Sequence, residues 1–539
     1  MAGPSLPAPD GRGLATVKGV WGRLRVWEGW PALASGLVAL SLYGFTAAPS
    51  FTWAHDSADG GELLAAARTL GIAHPPGYPT YLLLLHLWTR LPLPGDLARR
   101  GNCFSALCAA LAVALFADLA ARERRREGSA RPRLEAFLGG VLAAATPTLW
   151  GQATVTEVYA LHLLFFAALW WLLWRGEGER RGRWLLSAGL ALGLGLGNHL
   201  SLALALPGAA VWLLWQREGR GKALGAFAGG LALGLLVYLY LPLRARAWPP
   251  VNWGNPQTWE GFQWLVSGAL YQRFVFGLSG AYLLPRLGAW AALLREQFGW
   301  VGLALGWMGL WAEGSQGRWR RLAFLGSAFV FYTAYAVGYD TTDSYVYLLP
   351  AHLILAWWVV RGLGTLAPAA EGGLVEGARP AVARALRWGG MAALAASVAC
   401  RAALAFPQMD LREDWEAWQY GQEILAEAPP GALVLAVGDR QVFTLWYFRY
   451  GVRERPDLAV VTPNLWPYGW YRETVRRTHP DLAPGSDPLP EDLGGLVREV
   501  LATGRPVVAT EEAVRDLAAL RAYHPFKKAG SSLYELRQP

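Results

Sequence analysis

Cysteine is nearly absent from this 539-residue chain: Cys103, Cys108 and Cys400 are the only three, and all lie in apolar stretches. Their number and spacing exclude a disulfide framework and a cysteine-built metal site. Lysine is almost as scarce, with four (Lys18, Lys222, Lys527, Lys528) among 49 basic residues, so arginine carries nearly all the positive charge. Charged residues are only 17% of the chain and 54% is hydrophobic, against roughly 25% and 45–50% in soluble domains. So little charge excludes disorder, a coiled coil and a purely cytosolic enzyme. The net charge of +9 would signal a nucleic-acid partner only if the basic residues shared one soluble face. They sit instead in short clusters between apolar runs, which makes them topology signals. Internal repeats and low-complexity tracts are also missing.

What is abundant is tryptophan, 29 residues, and glycine, 63. Helices packed in lipid use aromatics at the interfaces and small residues at their contacts. A bilayer core of roughly 30 Å needs about 17–25 apolar residues per helix. Eleven stretches are read as spans: 31–49, 102–121, 134–150, 158–174, 184–197, 200–215, 223–243, 284–311, 322–337, 346–361 and 388–406. The first follows a leader too long for an ordinary signal-peptide n-region, so it is read as an uncleaved helix. The twelve-residue run Thr80–Leu91 is too short to cross and is read as an interfacial helix. The run 184–215 is too long for one crossing, and Asn198-His199 at its middle makes it a hairpin.

With that parity, segments 1–30, 122–133, 175–183, 216–222, 313–321 and 361–387 face the cytoplasm with 24 Lys and Arg, against 7 in the short external segments. The asymmetry follows the positive-inside rule and places the chain in the plasma membrane with a cytoplasmic N-terminus. The expected architecture is a polytopic α-helical membrane region over 31–406, with a first external loop at 50–101, and an extracytoplasmic α/β domain over 407–539. In that tail, apolar runs Ala432–Val437, Leu458–Thr462 and Pro506–Thr510 alternate with amphipathic stretches such as Glu511–Tyr523, a βα pattern. The Gly-, Ala- and Pro-rich stretch 362–386 reads as a linker before the last span.

Polar clusters that are not topology signals fall on the external side. The loop SFTWAHDSADGGELLAAARTLGIAHPPGYP (50–79) holds His55, Asp56, Asp59, Glu62, His74 and Tyr78. Carboxylates at a membrane lip are costly unless paired or used. Asp59 is also placed to be an N-cap with Glu62 at N3, a capping box, and His74 to be a turn residue in HPPGYP. Glu157 and Tyr159 open the fourth span, and Asn198-His199 tip the hairpin. A helix-start Glu also suits the helix dipole and a His-Asn tip is also an ordinary turn, but all four share one side with Asp59. Arg244 and Arg246 follow the seventh span at headgroup depth, where a guanidinium suits phosphate oxygens or simply snorkels. Asn252, Trp253, Gly254, Asp340, Asp343 and Tyr345 occupy external loops.

The strings DGGELLAAARTLGIAHPPGYPTYLLL, GQATVTEVYAL (151–161), LGLGNHLSL (194–202), YLYLPLRA (238–245), NWGNP (252–256) and GDRQVFTLWY (438–447) resemble, in order and over nearly the whole chain, the protein O-mannosyltransferase-like family, formerly a domain of unknown function. That family is similar to GT-C enzymes, polytopic glycosyltransferases that use polyprenyl-phosphate sugars. One departure is Gly61, where the family more often has Ser; both acids stay in place. The resemblance implies attack by an external hydroxyl, on protein, glycan or lipid, at the anomeric carbon of a mannose or other hexose. It makes Asp59, matching the first-loop acid, the general base, with Glu62 its partner and Asp56 the rival. Substrate contacts are expected from Asp56, His74, Tyr78, Glu157, Tyr159, Asn198, His199, Arg244, Arg246, Asn252, Trp253 and Asp343. No cofactor and no metal are expected, although the first-loop acids and histidines offer ligand chemistry. The other classes are a transporter or flippase of lipid-linked sugar, for which the acids sit at the wrong depth and the halves show no repeat, and a non-catalytic assembly protein. In the tail, Asp439 at the turn VGDRQVF is an N-cap or an acceptor contact.

Overall fold

A computed structural model of the chain describes residues 29–177, 181–215, 219–366, 380–516, 524–527 and 531–537. Almost all of the expected N-terminal segment 1–30 and most of the linker 362–386 lie outside the described residues, as do parts of the loops 175–183 and 216–222.

Helices α1 (Trp30–Thr46), α2 (Gly60–Thr69), α3 (Pro79–Thr89), α4 (Leu97–Arg126), α5 (Pro132–Ala144), α6 (Pro147–Ala153), α7 (Tyr159–Arg175), α8 (Arg181–Leu196), α9 (Leu206–Leu214), α10 (Arg220–Leu235) and α11 (Tyr240–Ala245) make the first half of the bundle. The second half is α12 (Trp259–Val266), α13 (Gly280–Ser315), α14 (Trp319–Gly338), α15 (Leu349–Thr365) and α16 (Pro380–Met409). Proline in the first turn starts α1, α3, α5, α6, α9 and α15, where its missing N–H costs no hydrogen bond and its φ is already helical. Each of the eleven expected spans overlaps a helix or helix pair. Five helical stretches, Leu97–Arg126, Arg220–Ala245, Trp319–Gly338, Ser344–Thr365 and Ala381–Met409, are long and apolar enough to cross a membrane among the described residues. The run expected at the interface forms α3, eleven residues long. The 184–215 run turns back at Asn198-His199, with α8 on one side and a short 3₁₀ turn plus α9 on the other.

Burial sorts the helices. All of α15 is buried, making it the central rod, whereas α10 and α16 present mostly apolar surface to the outside. The outer α10 still meets α8 backbone to backbone: a Cβ at Gly189, Gly193, Gly230 or Gly234 would strike the facing helix. Such small-residue contacts replace the hydrophobic drive that lipid removes. Helix α13 breaks at Gly299 (φ 63°, ψ 172°). Arg401 of α16 donates to the Gln297 carbonyl freed there, so the kink has a named partner.

The tail adds α17 (Glu416–Glu427), β1 (Leu433–Leu435), α18 (Asp439–Trp446), β2 (Ala459–Val461), α19 (Gly469–Thr478), α20 (Leu493–Ala502), β3 (Val507–Thr510), α21 (Glu511–Asp516), β4 (His524–Lys527) and β5 (Leu533–Arg537). The three apolar runs read as strands are β1, β2 and β3. The sheet order is β2-β1-β3-β5-β4, parallel among β1–β3 and antiparallel at β5 and β4. The parallel strands are buried throughout, as strands covered on both faces must be. Helix α18 leaves β1 and lies against α2 of the first loop. A Cβ at Gly61 would run into the Phe443 carbonyl. Glycine at this position, the departure noted in the sequence, lets the two backbones touch.

Candidate active site

The first loop reaches α2 through a turn in which His55 and Asp56 hold positive φ (55° and 60°), a strained geometry for residues with a Cβ. Asp59 stands at the N-cap position of α2, but its side chain makes no cap bond. Glu62, fully buried, turns away from Asp59: it accepts the His74 N–H at 3.0 Å and pairs with the His74 ring through Nδ1. The capping box anticipated as one alternative is therefore not formed. His74 is likewise more than a turn residue. Its Nε2 lies 3.5 Å from the Asp59 carboxylate and 3.0 Å from the Tyr78 hydroxyl.

Burial works against charge on His74, but the Glu62 and Asp59 carboxylates overcome it and hold the imidazole up at about 10. An imidazolium donates from both nitrogens, so Tyr78 and Asp59 face an N–H. Withdrawal from bulk water pushes the Asp59 carboxyl above its ordinary value; His74 opposes this, while Glu62 and Asp343 add to it. The arrangement leaves a partly exposed carboxylate of raised basicity, aimed by a buried cation that Glu62 pins. Such a carboxylate is suited to take a proton from a neutral hydroxyl.

Beside it sits a second group. Glu157 is buried, with Oε2 on the Val158 N–H at 3.3 Å and Oε1 without a hydrogen-bond partner among the described residues. Burial, then the Asp59 charge, pushes its carboxyl well up. Asn198 holds the Val158 carbonyl at 3.2 Å. His199 accepts from the Ser201 N–H at Nδ1, and burial together with the His74 charge lowers it to about 4. It is neutral, with its proton on Nε2. Its ring lies 5.5 Å from Tyr159, 5.6 Å from Tyr347 and 6.2 Å from Tyr78. The structure thus gathers Glu157, Tyr159, Asn198 and His199 on the Tyr78 side of the site.

On the other flank, Asn252 bridges to Ile72 and Trp253 packs edge-on to His74 at 6.2 Å. Tyr271 (6.0 Å) and Phe443 (6.3 Å, nearly parallel) complete the ring around His74. Phe443 comes from α18, so the tail forms one wall of the site. Asp439 is the first residue of α18, not its cap, which is Gly438 at φ 93°. Its carboxyl is pushed up by withdrawal from water and then by Asp59. Asp56 is exposed and accepts from the Tyr345 hydroxyl at 3.0 Å. Asp343 lies close enough to raise both Asp59 and Glu157.

The two arginines expected at a phosphate stand at the end of α2 opposite Asp59. Arg244 donates to the Leu70 carbonyl (2.7 Å) and the Thr69 carbonyl (3.3 Å), capping the C-terminal end of α2. Ten helical residues separate that end from Asp59, about 15 Å. Arg246 is exposed beside it. Arg286, in the first turns of α13, donates to Ser344 Oγ and the Thr341 carbonyl at 3.0 Å each, on either side of Asp343. It opens a cavity of about 250 Å³ walled by Trp290, Leu293, Val337 and Leu348. Through Tyr345 and Leu293 this adjoins a second cavity of about 240 Å³ reaching His55 and Gln152. An arginine two residues inside the expected span 284–311 was itself a legible signal, because charge at that depth is costly unless used. Tyr271 and Phe443 carried none, since aromatic residues are everywhere in this chain. Among the described residues no cluster of three or more His, Cys, Asp or Glu is arranged to hold a metal.

A family model, the Protein O-mannosyl-transferase TMEM260 N-terminal domain, matches residues 59–222. The chain is 26% identical over 476 residues to Protein O-mannosyl-transferase TMEM260 of Mus musculus, covering 83% of this chain and 64% of that protein. It is 22% identical over 483 residues to Protein O-mannosyl-transferase tmem260 of Dictyostelium discoideum, covering 80% and 57%. The chain thus spans less than two thirds of the length of these curated relatives. In fold it is similar to ArnT from Cupriavidus metallidurans bound to undecaprenyl phosphate, with a TM-score of 0.59 at 14% identity over 95% of this chain and 98% of that one. The apo form of the same protein gives 0.59 at 13% identity. A family match that opens at Asp59 in the first loop, similarity along most of the chain and a shared membrane-protein fold make this chain similar to the O-mannosyltransferase-like family.

Proposed function

We propose that the protein is a membrane glycosyltransferase that moves a hexose, mannose favoured, from a polyprenyl-phosphate carrier to a hydroxyl acceptor on the extracytoplasmic side. The observation that carries this reading is Asp59: a partly exposed carboxylate free of capping duty and oriented by the Glu62–His74 pair. In the reaction the acceptor oxygen bonds to the anomeric carbon while the bond from that carbon to the phosphate oxygen breaks. Asp59 takes the hydroxyl proton, and the lipid phosphate leaves with the electron pair. A single displacement of this kind inverts the anomeric configuration.

The leaving phosphate gathers negative charge, which a guanidinium stabilises best in a water-poor setting. Arg286 takes this role in our reading in place of Arg244 and Arg246, with the carrier chain in the apolar cavity beside it. Glu157, Asn198 and His199 meet the sugar hydroxyls, with the Tyr159 ring beside them. Asn252, Trp253 and Phe443 border the acceptor. The eleven helical segments then cross the plasma membrane with the N-terminus cytoplasmic, and the α/β tail lies outside, above the site. The reaction so described uses no metal or cofactor.

The test uses the purified full chain in detergent with a radiolabelled polyprenyl-phosphate mannose and a panel of peptide, glycan and lipid hydroxyl acceptors. Transfer by the native protein, and its loss by a factor of about 10²–10⁴ in Asp59→Asn, is expected. Normal transfer by the variant would remove Asp59 as base. The ArnT likeness and the lipid named in its complex support the donor class by fold, and the O-mannosyl-transferase relatives support the sugar and acceptor class.

A further inference from the structure

In the tail, the strand order β2-β1-β3 splits the chain on either side of β1. From β1 the chain runs through α18 to β2 on one flank, while β3, paired with β1 on the other flank, leads into α21 beside β5. The segments that leave β1 and β3 therefore diverge. Beyond the carboxyl ends of two such strands a crevice opens, and open α/β sheets bind their ligands there. Gly438, at φ 93°, turns the chain out of β1 into α18. Across the crevice Gln441 donates to Glu512 at 3.3 Å, which ties the start of α18 to that of α21. Thr510, the last residue of β3, is buried there, and its hydroxyl has no hydrogen-bond partner among the described residues.

This crevice meets the Asp59 site along one face of α18. Asp439 and Phe443 are four residues apart in that helix, so their side chains share a face about 5–6 Å apart. The Phe443 ring lies nearly parallel to the His74 ring at 6.3 Å, and its carbonyl stands where a Cβ on Gly61 would be. These two contacts fix the height and rotation of α18 against α2 and bring Asp439 to the edge of the His74 pocket. Its charge acts there: Asp439 adds to the upward push on His74 and Tyr271, and Asp59 raises Asp439 in turn. The Asp439 side chain is nevertheless exposed and makes no hydrogen bond or ion pair among the described residues. By contrast, Glu62 is held by His74, Asp56 by the Tyr345 hydroxyl and Glu157 by the Val158 N–H. A carboxylate in the first turn suits the dipole of α18, but the dipole does not require the face shared with Phe443.

We infer that Asp439 is an acceptor-binding residue: its carboxylate takes a hydrogen bond from an N–H or O–H of the acceptor next to the attacking hydroxyl, and so delivers that hydroxyl to Asp59. The inference rests on the transfer reaction proposed above and adds to it the part played by the tail. Two carboxylates then divide the work on the acceptor. Asp59 removes the proton of the hydroxyl that attacks, and Asp439 holds the neighbouring donor by a charge-assisted bond, which orients the nucleophile before reaction. Water, as the acceptor of a slow hydrolysis, has no neighbouring donor and gains nothing from Asp439. The tail is thereby a selector of acceptors, acting through the first turn of α18.

The test uses the full chain in detergent with radiolabelled polyprenyl-phosphate mannose and, in separate reactions, a threonine-rich peptide, methyl α-mannoside, a diacylglycerol or water alone. Two quantities are read for each protein: kcat/KM for transfer to the acceptor that the native protein glycosylates, and the rate of sugar release to water. Their ratio cancels any effect that a substitution at 439 has on Asp59 or on the fold, because hydrolysis uses the same base and the same leaving phosphate. Asp439→Ala is expected to lower the ratio by about tenfold or more through a raised acceptor KM, with the donor KM near native. Asp439→Asn, which keeps the shape, lowers it in the same direction by a smaller factor, so the test survives if the alanine variant fails to fold. A ratio within twofold of native in both variants, with transfer and hydrolysis unchanged or falling together, overturns the inference in favour of a structural or general electrostatic role. Sugar release to water without transfer to any of the three acceptors overturns it while leaving the chemistry at Asp59 standing, and a native protein that releases no sugar at all removes the transfer reading with it.

Discussion

Glu62→Gln separates the charge of the Glu62–His74 pair from its shape. Glutamine keeps the volume, and its Oε1 can still accept the His74 N–H, the contact that measures 3.0 Å with glutamate. What it loses is the negative charge, and its amide N–H now faces Nδ1, which favours a neutral ring. With both carboxylates in place His74 stands at about 10, against 6.5 for a free imidazole. At pH 8 the native ring is then about 99% imidazolium, while one returned to its ordinary value is about 3% imidazolium. If Asp59 acts only when His74⁺ aims it, kcat/KM at pH 8 falls by up to about thirtyfold, yet at pH 6 by less than about twofold. The residual pull of Asp59 at 3.5 Å makes thirtyfold an upper limit. The assay is the pH profile of transfer between pH 5.5 and 10.5 for native and variant protein, with monodispersity checked at each pH. The alkaline limb of the native profile is expected near 10 and should move toward neutrality in Glu62→Gln. A variant profile that keeps its limb near 10, or a loss equal at pH 6 and pH 8, would refute the argument.

The same pair bears on stability. His74 is raised on folding, so its contribution is complete below the unfolded value of 6.5 and disappears as pH climbs through about 10; thermal unfolding of the native protein is expected to weaken over that window, and much less so in Glu62→Gln. Arg286→Gln should raise KM for the lipid donor with little change in fold, whereas Arg244→Gln, which strips a cap from α2, should lower the unfolding midpoint and leave the donor KM near native; reversed outcomes would return the phosphate to Arg244. Gly61→Val forces a side chain against the Phe443 carbonyl, an overpacking of about 1–3 kcal/mol, and should lower both the unfolding midpoint and transfer; a fully active, equally stable variant would mean that α18 does not rest on α2 in solution.

Much of the architecture was readable from local chemistry. Helices set by apolar runs of bilayer length and started by proline depend on residues a few positions apart, and so do the buried strands at 433–435, 459–461 and 507–510. The first-loop acids stood out because carboxylates are costly beside a membrane wherever they go. The roles of those residues were not local. Asp59 and Glu62 are three apart, the spacing of a capping box, and only the return of His74, twelve residues later, shows Glu62 spent on the histidine and Asp59 left free. Arg244 was expected at a phosphate by its depth, and only the structure shows α2 presenting its terminal carbonyls there to the guanidinium.

The sequence by itself determined the membrane class, the helical segments, the βα tail and the family resemblance, because each rests on composition, periodicity or ordered strings. Tertiary structure alone decided which charges meet: it set Phe443 beside His74 across about 370 residues, gave Arg244 to the carbonyls that end α2, set Arg286 on the residues either side of Asp343, and brought four arginines to Glu127. Electrostatic interaction falls off within a few ångströms of separation in space, and separation along the chain does not predict it.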